Sequence, residues 1–88
     1  MTATRRELYG TRSCPHTTEL REQLEWRNEQ FVEYDVEIDA AALQRLRALT
    51  PGPLAVPVLV EDGLVTAVGW QGHSCPVGGL RANGVDKS

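Results

Sequence analysis

Two cysteines give this chain the means for thiol chemistry, and Cys14 has the sequence context of a nucleophile. Cysteine attacks a disulfide as the thiolate, whereas a free thiol with a pKa near about 8.5 is mostly protonated at neutral pH. A helical pattern begins at Pro15, directly after Cys14. The free N–H groups and the positive dipole end of such a helix would lower the pKa of the thiol. We therefore predict a reactive thiolate at position 14.

Three neighbours of Cys14 carry groups that could stabilise a thiolate. The hydroxyl of Thr17 lies three residues further on, at the position where a Cys-x-x-Cys redox motif has its second cysteine. Arg12 brings a positive charge, and His16 in the first helical turn offers a cation or a hydrogen-bond donor. The alternative interpretation is that Cys14 is a small buried hydrophobic residue beside a turn.

Cys75 is the second thiol, and its role stays open at this point. It could resolve a mixed disulfide formed on Cys14, or it could be a free cysteine in a loose C-terminal turn. With His16 and His73, the two cysteines also offer the two sulfur and two nitrogen ligands of a tetrahedral zinc site. The spacing is not that of a zinc finger, and Pro15 limits how Cys14 and His16 could converge. We expect no bound metal.

The length and charge of the chain limit its class. Its 88 residues suffice for one domain, which we place at 1–88 with an ordered core at about 6–77 and a flexible tail at 78–88. Nine Lys and Arg against twelve Asp and Glu give a net charge of -3, which argues against a nucleic-acid partner. No apolar stretch approaches the roughly 20 residues that cross a bilayer, and no signal peptide is visible. We expect a cytoplasmic protein with reduced thiols.

Hydrophobic patterning predicts the elements that must position these residues. They are a strand at 7–10, a helix from Pro15, a strand at 31–36, a helix capped by Asp39, and hairpin strands at 56–60 and 64–68. The order β-α-β-α-β-β predicts an α/β fold, with a parallel strand pair, a right-handed crossover and a mixed four-stranded sheet.

Pro57 is an anomaly within its apolar strand, because proline cannot donate to a sheet ladder. An X-Pro bond is the ordinary place for a cis peptide, and a cis Val56–Pro57 bond would leave the Val56 backbone free to bind an extended ligand. After the hairpin the chain loses periodicity. Trp70 there is either the wall of a groove or a cap on the core, and Trp26 on the first helix is expected to be partly packed.

The Cys-Pro turn at Cys14, the Val56–Pro57 step and the Gly69–Trp70 pair, in this order and spacing, resemble a glutaredoxin over residues 6 to about 75. Within that family the chain resembles the small bacterial group called UXX-star, whose redox motif starts with cysteine or selenocysteine. The resemblance implies a thioredoxin fold. Its last helix would be short or missing, since residues 75–79 form helix poorly.

The resemblance also implies a role for each matching position. Cys14 would be the nucleophile, Val56–Pro57 would hold substrate thiols by backbone pairing, and Gly69 would line the glutathione groove. Thr17 replaces the second cysteine of a dithiol glutaredoxin, and Trp70 replaces a second glycine. The predicted catalytic residues are Cys14, Thr17 and Cys75, and the predicted substrate-binding residues are Arg12, Pro15, His16, Val56, Pro57, Gly69 and Trp70.

The activity implied is that of a monothiol thiol-disulfide oxidoreductase. It would reduce mixed disulfides of protein substrates with glutathione or another small thiol as co-substrate, without a bound cofactor. We expect a monomer with no nucleic-acid or membrane partner. The alternative is a non-catalytic carrier that holds a metal ion or an iron-sulfur cluster in the same groove.

Overall fold

The computed structural model describes residues 4–77, whose backbone forms six strands and two helices. These elements are β1 Arg6–Gly10, α1 Pro15–Trp26, β2 Val32–Asp35, α2 Ala40–Leu49, β3 Leu54–Val56, β4 Val58–Glu61, β5 Leu64–Val68 and β6 Cys75–Val77. The predicted tail at 78–88 lies outside the described residues. No described helix is long and apolar enough to span a membrane.

Four strands form the central sheet in the order β2-β1-β4-β5. β1 and β2 run parallel, with Leu8 opposite Glu33, and α1 is the crossover between them. β4 pairs antiparallel with both β1 and β5. The prediction of a mixed four-stranded α/β sheet is confirmed. Because β1 pairs with a strand on each side, its end is held firmly. The turn that contains Cys14 follows directly from it.

The two helices pack on opposite faces of this sheet, since neighbouring residues of a strand point to opposite sides. Leu8 of β1 packs with Leu20 and Leu24 of α1, and we call these three residues the α1 cluster. Tyr9 of β1 belongs to a larger set, the α2 cluster. Its buried members are Tyr9, Cys14, Val36, Ala42, Leu43, Leu46, Val56, Val58 and Val60. Cys14 is thus buried against the core of the domain.

An aromatic contact fixes α2 against the first two strands. The rings of Tyr9 and Tyr34 stack with their centroids 5.2 Å apart, and the guanidinium of Arg45 lies 4.7 Å from the Tyr34 ring centroid. Nε of Arg45 donates a hydrogen bond of 3.2 Å to the Tyr9 hydroxyl. This bond raises the pKa of Arg45.

The helix termini follow the sequence signals in part. The Oδ1 of Asp39 accepts a hydrogen bond of 3.0 Å from the Ala42 N–H, so the predicted cap of α2 is confirmed. α1 begins at Pro15 and ends at Trp26. The expectation that Trp26 packs was wrong, because its side chain is 86% exposed at the end of the helix.

A second, two-stranded sheet was not predicted. The expected strand at 56–60 divides at Pro57, which has no N–H for a ladder, and the Val56–Pro57 peptide bond is cis. β4 continues in the central sheet, whereas β3 pairs antiparallel with β6. The segment at Cys75 was expected to lack regular structure. It is instead a strand that returns to the site of Cys14.

Candidate active site around Cys14 and Cys75

Cys14 is the N-cap residue of α1. Its N–H donates to the carbonyl of Thr11 at 3.3 Å, and its carbonyl accepts from the N–H groups of Thr17 at 3.1 Å and Thr18 at 3.3 Å. These bonds hold the backbone at the first turn of the helix, where the dipole favours a negative charge on the sulfur. The residue predicted as the nucleophile therefore lies at a helix N-terminus, with its side chain in the α2 cluster.

Cys14 and Cys75 are joined by a disulfide, with their Cα atoms 6.0 Å apart. This Cα separation lies in the usual range for disulfides. Cys14 is 1% exposed in this state, while Cys75 is partly buried. The alternative of a free Cys75 in a loose turn was wrong, since this residue lies in β6 and bonds to Cys14.

A tight turn after β5 brings Cys75 back to the site. The N–H of Trp70 donates to the carbonyl of His73 at 2.7 Å, and the N–H of His73 donates to the carbonyl of Trp70 at 2.9 Å. The two residues between them, Gln71 and Gly72, have φ values of 52° and 82°, as tight hairpin turns require. The reversal directs the following residues toward β3.

Gly69 allows this turn to close. Its φ is 84°, and a Cβ built on it would lie 2.9 Å from the carbonyl oxygen of His73. Its N–H donates to the carbonyl of Pro57 at 2.7 Å. The space next to Gly69, where the resemblance placed glutathione, is thus occupied by the chain's own backbone in the oxidised state.

The strand pair β3 and β6 places Cys75 beside the Val56–Pro57 step. The sulfur of Cys14 lies 3.9 Å from the carbonyl oxygen of Val56, and Pro57 is fully buried. The register pairs Val56 with Cys75, Ala55 with Pro76, and Leu54 with Val77. The Val56 backbone, predicted to bind an extended ligand, faces a strand of this same chain.

The two histidines, two residues after Cys14 and two residues before Cys75, contact each other. The rings of His16 and His73 stack with centroids 5.1 Å apart and planes 15° from parallel. Nδ1 of His16 is buried without a hydrogen-bond partner among the described residues and lies 3.6 Å from a carboxylate oxygen of Glu19. The stack brings the Cys14-Pro15-His16 and His73-Ser74-Cys75 segments into contact. Residues 4–77 contain no group of three or more His, Cys, Asp or Glu side chains that could hold a metal ion.

Thr17 is fully buried in the first turn of α1. Its hydroxyl has no hydrogen-bond partner within residues 4–77. The side chain packs against Gly10 at the end of β1, where a Cβ would clash with it. Sequence reasoning missed Gly10, although a glycine at the end of a strand often marks such a close approach.

The remaining predicted residues lie around the site at different depths. Arg12 and Pro15 are exposed, and the backbone N–H of Arg12 donates to a carboxylate oxygen of Asp35 at 3.3 Å. Trp70 is half-buried and packs against the α1 cluster. This agrees with the expectation that it caps the core.

The glutaredoxin family model matches residues 7–65 of this chain. The chain belongs to the glutaredoxin family. The match covers Cys14 and the Val56–Pro57 step, which confirms the resemblance seen in the sequence. The match ends at residue 65 and does not include β6, the strand that contains Cys75.

Three solved structures are similar to this chain. The chain is similar to the thioredoxin-like protein BC3987, with 35% identity, a TM-score of 0.68, and coverage of 75% of this chain and 88% of that one. A mutant of the same protein gives the same identity and TM-score, with 82% of its chain covered. Glutaredoxin 1 from Francisella tularensis, crystallised with cacodylate, is 19% identical with a TM-score of 0.59, over 77% of this chain and 85% of that one, and shows the shared fold. No curated protein sequence matches the chain.

Proposed function

We propose that this glutaredoxin-family protein reduces disulfides of protein substrates with Cys14 as the nucleophile and Cys75 as the resolving thiol. Glutathione or another small thiol would return it to the reduced state. The observation that carries the proposal is the Cys14–Cys75 disulfide at the N-terminus of α1, beside Val56. Thr17 stands where a Cys-x-x-Cys motif would have its second cysteine, and Cys75 of β6 would supply the second thiol in its place.

The first step is attack by the Cys14 thiolate on one sulfur of the substrate disulfide. A new bond forms between Cys14 and that sulfur, the substrate S–S bond breaks, and the other substrate sulfur leaves as a thiolate that takes a proton from water. The helix N-terminus at Cys14 supports this step because it favours the attacking thiolate.

In the second step the Cys75 thiol loses its proton and attacks the Cys14 sulfur. The Cys14–Cys75 disulfide forms and the substrate leaves with its second thiol free, so the substrate gains the two electrons that the protein loses. Two molecules of a small thiol would then reduce the Cys14–Cys75 disulfide and become a disulfide themselves. A compartment rich in small thiols, such as the cytoplasm, would drive this return.

Thr17 and Arg12 would assist Cys14 in the reduced protein. The buried Thr17 hydroxyl, which has no partner in the oxidised state within residues 4–77, is one turn from Cys14 and could donate to its thiolate. The positive charge of Arg12 is two residues before Cys14 on the exposed side of the turn. Among the other predicted substrate-binding residues, Pro15 follows Cys14 and is exposed, and His16 stacks on His73. Gly69 and Trp70 form backbone hydrogen bonds of the turn that leads to Cys75.

Two reactions separate the roles of the cysteines. With glutathione as reductant, we would measure reduction of hydroxyethyl disulfide, which a single thiol can complete, and of a protein disulfide, which needs two. Cys14→Ser should reduce both to the uncatalysed rate. Cys75→Ser should keep the first and lose the second, because the mixed disulfide on Cys14 is no longer resolved within the chain. Full activity of Cys14→Ser would refute the proposal.

A further inference from the structure

Strand β3 lies outside the central sheet, and among residues 4–77 its only strand partner is β6. If β6 separates from it, the backbone groups of residues 54–56 lose their partners on that side. An unpaired edge of this kind binds extended peptides by adding a strand. The structure therefore contains a binding edge that one of its own segments covers in the oxidised state.

The register of this pair places one sulfur at the nucleophile. Cys75 lies opposite Val56, and the Val56 carbonyl oxygen is 3.9 Å from the Cys14 sulfur. Any strand that took the place of β6 in the same register, with a cysteine opposite Val56, would bring its sulfur to Cys14. The oxidised protein thus has the geometry of a mixed disulfide between Cys14 and a bound strand.

The side chains of β6 indicate which residues of a bound substrate strand would contact the protein. Cys75 and Val77 point to the same side of the strand, and both pack against the α2 cluster. Ser74 and Pro76 are exposed on either side of Cys75. A strand bound here would therefore place the residue two positions after its cysteine on apolar surface, and would leave the two immediate neighbours of that cysteine in solvent.

We propose that β6 is a built-in mimic of the substrate, and that the reduced protein selects extended protein segments with an aliphatic residue two positions after the reactive cysteine. Such a segment binds antiparallel to β3 in place of β6. This inference rests on the proposed function and names its substrate class.

The mimicry couples resolution to release. While the substrate cysteine is bonded to Cys14, its strand occupies β3 and β6 is displaced. When the Cys75 thiolate attacks the Cys14 sulfur, the Cys14–substrate bond breaks and the substrate sulfur leaves as a thiolate that takes a proton. β6 then pairs with β3 again, so the substrate loses its covalent bond and its strand pairing in the same event.

The test uses reduced Cys75→Ser protein and peptides whose cysteine is linked to thionitrobenzoate, which absorbs light when released. The first peptide has the chain's own sequence His-Ser-Cys-Pro-Val. The second has Asp in place of Val, two positions after the cysteine. The third is the matched control, with Asp in place of Pro, one position after the cysteine, where the side chain would face solvent.

The Val-to-Asp peptide should react about tenfold more slowly than the first, since it loses the apolar contact of that position. The Pro-to-Asp peptide should react within about twofold of the first. Equal rates for all three peptides would overturn the mimicry while leaving the proposed function intact. No reaction with any peptide or with hydroxyethyl disulfide would refute the proposed function itself.

A second measurement uses the unaltered chain and so does not depend on how Cys75→Ser folds. Hydrogen exchange of the amides at 54–56 should be slow in the oxidised protein and faster after reduction. A Ser-for-Cys version of the first peptide should slow it again in the reduced protein. Exchange that is unchanged by reduction would show that β6 does not leave β3, and would overturn the inference.

Discussion

Cys14 and Cys75 share one disulfide but lie in two different kinds of structure. Cys14 is the N-cap residue of α1, a helix of twelve residues that follows the central strand β1. Its side chain belongs to the α2 cluster. Cys75 begins a strand of three residues that pairs with another strand of three residues outside the central sheet. The first setting would hold the proposed nucleophile in a fixed position. The second would let the proposed resolving thiol approach and leave Cys14, because so short a strand pair has few backbone hydrogen bonds to break.

The largest expected contrast between these regions is in stability. Leu24→Ala removes a side chain that is 2% exposed in the α1 cluster, and should lower the free energy of unfolding by about 2–5 kcal/mol. Val77→Ala in β6 should cost at most about 1 kcal/mol, because its side chain is only partly buried at the edge. Urea unfolding of the oxidised proteins would measure both. Similar losses for the two variants would mean that β6 is as integral to the core as α1.

The turn at Gly69 offers a sharper test, because Gly72 is a matched control. Both glycines have positive φ. A Cβ at Gly72 would meet nothing within 4 Å, whereas one at Gly69 would lie 2.9 Å from the carbonyl oxygen of His73 and 3.6 Å from the Cβ of Ser74. Gly69→Ala should lower the equilibrium constant for forming the Cys14–Cys75 disulfide about tenfold in a glutathione redox buffer, since it pushes His73 away. Gly72→Ala should lower it about threefold at most. Equal effects of the two variants would mean that the close approach at Gly69 does not hold β6 in position.

The smallest expected effect concerns the helix side of the site. Thr17→Val keeps the shape of the buried side chain and removes its hydroxyl. If that hydroxyl donates to the Cys14 thiolate, the rate of attack on hydroxyethyl disulfide should fall about fivefold, as for the loss of one hydrogen bond. Thr17→Ser keeps the hydroxyl and should react within about twofold of the unaltered chain. An unchanged rate for Thr17→Val would limit Thr17 to packing against Gly10.

The same two regions differ in how well sequence predicts them. Strands of the central sheet and both helices have periodic apolar residues, and Asp39 is a strong cap signal, so their order was predicted correctly. β3 and β6 have three residues each, too few for a period to be visible, and their pairing joins distant parts of the chain. The exposed Trp26 shows the reverse error, since a large apolar side chain at a helix end need not be packed.

The candidate site was predicted at Cys14 and the Val56–Pro57 step but not as an assembled unit. Sequence left open whether Cys75 resolves Cys14, because nothing local indicates that the turn at Gly69 brings them together. The stacking of His16 on His73 and the burial of Thr17 behind Gly10 depend on the same tertiary arrangement. Residue types suggested the chemistry, whereas the partner of each residue followed only from the fold.

The most direct test of the central claim is mass spectrometry of a rapidly quenched reaction between the reduced protein and glutathione disulfide. We predict that glutathione is attached first to Cys14, and that the adduct then converts to the Cys14–Cys75 disulfide with release of glutathione. In Cys75→Ser the reaction should stop at the Cys14 adduct. A first adduct on Cys75, or a Cys14 adduct that persists in the unaltered chain as long as in Cys75→Ser, would contradict the account.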